Sequence, residues 1–161
     1  MKTAAEKKWL YIGIGGTVSV LFCFVVGLSL LSQSRQYPEG VYIGEQFYSL
    51  DYALTPDEQS LGLGGREQLC ETCAMIFLFD APGKYAFWMK GMRFPLDIVW
   101  VSQDGSVVHI ERRISPESQE LYRSEEPALW VLEFNAGTLD TVSIGEKLRF
   151  FSPVPERELV F

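Results

Sequence analysis

Aromatic, thioether and charged side chains are interleaved over one run, YAFWMKGMRFPLDIVW, from Tyr85 to Trp100. Trp88, Met89, Lys90 and Arg93 come first and Asp97 follows. A second carboxylate, Glu133, stands in another apolar run, ALWVLEF at 128–134. If both runs are strands, alternation puts Asp97 on the face of Val99 and Val101, and Glu133 on the face of Leu129 and Val131. A carboxylate among such neighbours must be paired, hydrogen-bonded or protonated. Lys90, Arg93 and Arg66 are the cations placed to serve.

Three kinds of chemistry fit this pattern. The carboxylates can be structural, accepting backbone N–H groups at strand ends. They can form the polar floor of an apolar pocket walled by Trp88 and Trp100. They can act as an acid–base pair, as in glycoside cleavage. The expected ligand-binding set is Trp88, Met89, Lys90, Arg93, Asp97 and Glu133, with the catalytic reading as the alternative and no catalytic residue assigned.

Sulfur chemistry is a further possibility, the third function after ligand binding and catalysis. Cys70 and Cys73 form CETC ahead of a strand-like run, AMIFLF. A redox pair of the thioredoxin kind follows a strand and opens a helix, so a small structural disulfide is expected here. Tetrahedral zinc needs four ligands, and only His109 and Cys23 remain as further His or Cys. Met75, Met89 and Met92 with the thiols would suit Cu(I), but methionine is more often flexible core filler. His109 sits mid-strand with no nucleophile motif beside it. No phosphate loop or dinucleotide fingerprint occurs. No metal or cofactor is expected.

The elements that must position these residues read as mainly β, or α+β by strict count. VYIGEQFYSLDYAL (41–54) holds two short strands or one bulged at Gly44. Thr55, Pro56 and Glu58 form a capping box with proline at the first helical position, and GLGG (62–65) stops that helix early. Strands follow at 74–79, 85–90 and 95–101. Asp104-Gly105 is a hairpin turn into VVHIERRI. SPESQELYRSEEP (115–127) reads as surface loop, NAGTLDTVSIGEK as one helical turn and a Gly145 turn, and LRFFS as the closing strand. The expected fold is a small antiparallel sheet, barrel-like or sandwiched, with one or two short helices.

The first 34 residues differ from the rest. Trp9 to Ser34 is a run of 26 residues without charge. As a helix it would span about 39 Å, against roughly 30 Å for a bilayer core. Its length favours an uncleaved anchor over a signal peptide. Lys2, Lys7 and Lys8 precede it and only Arg35 follows closely, which places the N-terminus in the cytoplasm. The expected organisation is residues 1–8 cytoplasmic, 9–32 transmembrane, 33–40 linker, 41–153 domain and 154–161 tail. From Arg35 onward 11 basic residues face 20 acidic ones. That balance argues against nucleic acid. The expected partners are the membrane, through the N-terminal helix, and a small-molecule, glycan or protein ligand.

The ordered blocks resemble the uncharacterised bacterial and archaeal family known as domain of unknown function 192. They are Ala53-x-Thr55 before a helix ending at Gly62-Leu63, Met75 to Phe79, Phe87-Trp88-Met89-Lys90, Pro95-Leu96-Asp97, Gly105, and Leu132-Glu133 with Gly137. Gly64, Ala74 and Gly91 stand where that family usually has Met, Gly and Asn. The resemblance implies a small, mainly β domain, often exported or tethered, and brings no activity with it. The resulting expectation is a membrane-anchored extracytoplasmic binding or accessory domain.

Overall fold

The structure is a computed structural model that describes residues 37–152. The expected membrane helix and the tail lie outside these residues. Among the described residues no helix is long and apolar enough to cross a membrane.

Two strands open the domain, β1 (Gly40–Ile43) and β2 (Gln46–Ala53), joined at Gly44, which adopts a positive φ of 59°. Helix α1 (Pro56–Leu61) follows. Thr55 caps it, Glu58 reaches back to the cap, and the Gly62 N–H closes its end on the Glu58 carbonyl. Then come β3 (Cys73–Gly83), the two-residue β4 (Ala86–Phe87), β5 (Leu96–Val101), β6 (Val107–Ile114), β7 (Tyr122–Arg123), β8 (Ala128–Asn135) and β9 (Arg149–Phe151).

Seven strands form one sheet in the order β6-β5-β8-β3-β2-β1-β9, while β4 and β7 pair separately. The sheet curls until its edges touch. Ser106 bridges Lys147, the Val107 N–H donates to the Glu146 carbonyl, and the Val107 carbonyl accepts the Gly145 N–H. One apolar cluster draws on β1, β2, β3, β5, β6 and β8 together, so it is the inside of the curl; Val41, Ile76, Val99, Leu132 and Phe134 belong to it. A second cluster, with Phe77, Ile98, Trp100 and Val131, lies on the outer face. Every residue of β5 is buried because both faces are covered.

The sheet is mixed where a wholly antiparallel one was expected. Strands β2 and β3 run parallel, from Ser49↔Cys73 to Ala53↔Phe77. Parallel neighbours cannot be joined by a tight turn; the chain must travel back over one face. Residues 54–72 make that crossover, carrying α1 and the GLGG turn across the outer face, where Leu63 and Leu69 are buried. Two smaller differences follow from local geometry. The strand expected over 85–90 is confined to Ala86–Phe87, and the chain turns farther on at Gly91, which has a φ of 74°. The 136–146 segment is a chain of turns rather than a helical turn.

Candidate functional site

Asp97 and Glu133 sit on adjacent strands but on opposite faces. In the β5–β8 ladder Asp97 faces Phe134 and Ile98 faces Glu133. Phe134 belongs to the inner cluster and Ile98 to the outer one. The two carboxyls therefore cannot share a cleft or a substrate, which removes the acid–base pair.

Asp97 is fully buried and fully bonded. Its Oδ1 accepts the Arg113 N–H at 2.8 Å, and its Oδ2 accepts those of Gly137 at 2.9 Å and Leu139 at 2.8 Å. Arg113 has a positive φ of 50° at a register shift in the β5–β6 ladder. The carboxylate thus fills the bulge and ties β6 to the turns after β8. Asp97 does not reach the rim beside Lys90 and Arg93 where the ligand reading needed it; its role is structural. Trp100, expected as a pocket wall, is completely buried and donates its indole N–H to the Tyr85 carbonyl at 2.9 Å. Met75 and Met89 are likewise core residues.

Glu133 is different. It is 4% exposed, and its Oε2 has no hydrogen-bond partner among the described residues. Burial drives its pKa from 4.5 up to about 8, and the positive charge of Arg66 offsets only part of that. The Gly62 turn lies directly over it: a Cβ on Gly62 would come within 3.6 Å of Oε2 and 3.3 Å of Phe77 Cζ. The crossover is the cover that buries this carboxyl.

On the other side of that cover is an open cleft of about 750 Å³, between α1 and the 88–93 segment. Asp57, Ser60 and Leu61 line one side, and Trp88, Lys90 and Arg93 the other. The two sides are joined by the Gly65 N–H bonding to the Gly91 carbonyl at 2.9 Å. Trp88 is 49% exposed, with the Lys90 ammonium 5.0 Å from its ring centre. Arg93 pairs with Glu67, and Arg66 with Asp51 at 2.7 Å. Of the expected ligand set, Trp88, Lys90 and Arg93 meet at this cleft. Met89 and Glu133 lie beneath it, and Asp97 is on the inner face. Asp57 and Ser60 had no signal in the sequence, because the crossover that swings α1 against the 88–93 segment is set by long-range pairing.

The CETC pair is a disulfide, Cys70–Cys73, with a Cα–Cα distance of 5.2 Å. It closes the end of the crossover. The Asn135 amide donates to the Leu69 and Cys70 carbonyls, pinning that loop to β8.

The family model for DUF192, described as an uncharacterized ACR, matches residues 41–150. The chain belongs to this family. Two solved structures share the fold. One is a proposed transcription regulator from Sinorhizobium meliloti 1021, with 28% identity and a TM-score of 0.65, covering 74% of this chain and 98% of its own. The other is a protein of unknown function from Novosphingobium aromaticivorans DSM 12444, with 31% identity and a TM-score of 0.65, covering 71% of this chain and 84% of its own. No curated protein matches. Two of the positions at which this DUF192 chain departs from the pattern described above, Gly64 and Gly91, line the cleft. With no side chains there, the cleft floor is bare backbone. A Cβ at Gly64 would stand 2.8 Å from the Leu61 carbonyl oxygen, so in this chain the turn packs too closely for a side chain there unless the backbone shifts.

Proposed function

We propose that this DUF192 domain is a non-catalytic binding module whose cleft takes an acidic saccharide. The observation that carries the reading is Trp88. The other described tryptophans, Trp100 and Trp130, are at most 7% exposed, whereas Trp88 presents nearly half its surface beside an open cleft. An exposed indole flanked by polar groups is a plate for a flat C–H-rich face, such as that of a pyranose ring. Lys90, together with Arg93 in its pair with Glu67, puts two cations on this rim, in a chain of net charge −7. Asp57 and Ser60 offer hydroxyl partners opposite. A ligand stacked on Trp88 would displace the Lys90 ammonium from the ring and leave it for a carboxylate.

The uncharged run from Trp9 to Ser34 and the Cys70–Cys73 disulfide support placing this module outside the cytoplasm on a membrane anchor. The excess of acidic residues disfavours a nucleic-acid ligand, so the description of the Sinorhizobium relative is not carried over.

The test is titration calorimetry on the full chain in mild detergent, with a galacturonic acid hexamer and maltohexaose as probes. Binding of the acidic hexamer, lost by about tenfold or more in Trp88→Ala, is the expected result. Equal affinity of wild type and variant would end the cleft reading; equal affinity for the neutral hexamer would end the acidic one.

A further inference from the structure

We infer that Glu133 is a proton-operated latch beneath the wall of the cleft. Neutral, it allows the Gly62–Arg66 turn to seat over it; ionised, it loosens that turn and weakens binding. The binding consequence rests on the cleft reading above, while the latch itself rests on geometry.

Three observations carry it. The first is the orphaned Oε2 of a 4% exposed carboxyl. A neutral acid tolerates an apolar site, but a carboxylate there needs a cation, N–H donors or water. The second is that the turn lies over the carboxyl at Gly62, close enough that an added Cβ would stand 3.6 Å from Oε2. The third is that the turn is also the cleft wall. Gly64 and Gly65 line the cleft, and the Gly65–Gly91 hydrogen bond couples them to the segment that carries Trp88 and Lys90.

The charges around Glu133 leave one route for compensation. The register puts Asp51, Met75, Glu133, Ile98 and Glu111 in one row across the outer face. Strands β3 and β5 therefore offer only Met75 and Ile98. Strand β2 brings Asp51, and β6 brings Glu111, which is held by His109 at 3.0 Å. Both are acidic, so neither can compensate a carboxylate. On α1, Glu58 is bound to the backbone of its own cap. In the 88–93 segment Lys90 lies over Trp88 and Arg93 is paired with Glu67. Arg66, on the turn itself, is the cation whose field reaches Glu133, and it is engaged with Asp51 at the surface. Ionisation draws Arg66 inward or admits water through the turn. Either event displaces residues 62–66.

The experiment is a pH titration of the ¹⁵N-labelled full chain in mild detergent, from pH 6 to 9.5, followed by amide NMR. The amides of Gly62, Gly64, Gly65 and Gly91 should move together with one midpoint near 8, while those of Gly137 and Leu139 on the inner face stay still. Glu133→Gln should abolish the movement. Arg66→Gln, a surface change that spares the core, should shift the midpoint upward by removing the cation whose field reaches Glu133. In parallel, affinity for the galacturonic acid hexamer should fall about tenfold between pH 7 and 9 in wild type and stay level in Glu133→Gln. Static turn amides in wild type, movement that survives Glu133→Gln, or a midpoint unmoved or lowered by Arg66→Gln would overturn the latch. Turn amides that titrate as described in a chain that binds neither hexamer would keep the latch and overturn the cleft reading instead.

Discussion

Glu133→Gln should make the protein more stable at neutral pH, against the usual direction of a core substitution. The unfolded chain ionises this carboxyl near 4.5, while the folded chain holds its proton until about pH 8. The folded state therefore binds one more proton across that window, and linkage gives the sign: stability falls as pH rises from 4.5 to 8 and is level beyond. At 1.36 kcal/mol per pH unit the whole window corresponds to about 5 kcal/mol, of which about 3 is already lost at pH 7. Glutamine recovers that loss, less about 1 kcal/mol for an amide hydrogen left without an acceptor at the Oε2 position. The net expectation is a gain of about 2 kcal/mol at pH 7. Urea unfolding of wild type and variant at half-unit steps from pH 5 to 9, at constant m, measures it. Other carboxylates act with the opposite sign: hydrogen bonds from the Thr55 and Leu54 backbone hold Glu58 below its ordinary range, and those of Ser102 and Ser106 with Lys147 do the same for Asp104. Their contribution is lost as pH falls, and it cancels when the two chains are compared. Parallel curves over the whole range would refute the reasoning, because a variant without the titrating group cannot copy its slope.

Asp97→Asn should cost about 3 kcal/mol of unfolding free energy, because an amide nitrogen would face one or two of the three N–H donors now bonded to the carboxylate; chemical denaturation reads it directly. Reducing Cys70–Cys73, or the Cys70→Ser, Cys73→Ser double variant, should lower stability by about 2 kcal/mol, the chain-entropy value for so short a loop, with the fold retained by circular dichroism. Thr55→Ala removes the side-chain cap of α1 and should cost about 1 kcal/mol, seen as a small drop in Tm.

Local chemistry was legible where it acts between near neighbours. The capping box at Thr55 and Glu58, the Asp104-Gly105 turn between β5 and β6, and the Cys70–Cys73 pairing span at most three positions each, and each formed as its residues dictate. Strand alternation also put Asp97 and Glu133 among apolar neighbours. Alternation gives the face of a residue within its own strand only. Which of those faces coincide depends on the β5–β8 register, a long-range property, and that register sets the two carboxyls back to back. The parallel β2–β3 pairing was hidden for the same reason, and with it the crossover that builds the cleft. The run that mixed charge with aromatics divides accordingly: Phe87 and Met89 turn into the core while Trp88 and Lys90 turn out, an alternation that continues after the strand has ended.

The β1–β9 pairing bears on how the molecule is made. Gly40 pairs with Phe151, so the first strand of the domain waits for nearly the last residue before its outer edge is covered. Contacts of such separation slow folding. During synthesis β1 and β2 can pair early as a hairpin, but the far side of β1 stays an open ladder of N–H and C=O groups until β9 leaves the ribosome. A chain truncated just before Arg149 would keep that edge permanently, with Phe47 no longer packed on Phe151. Such a fragment should self-associate through β1, and the three residues of β9 act less as part of the core than as a guard on it.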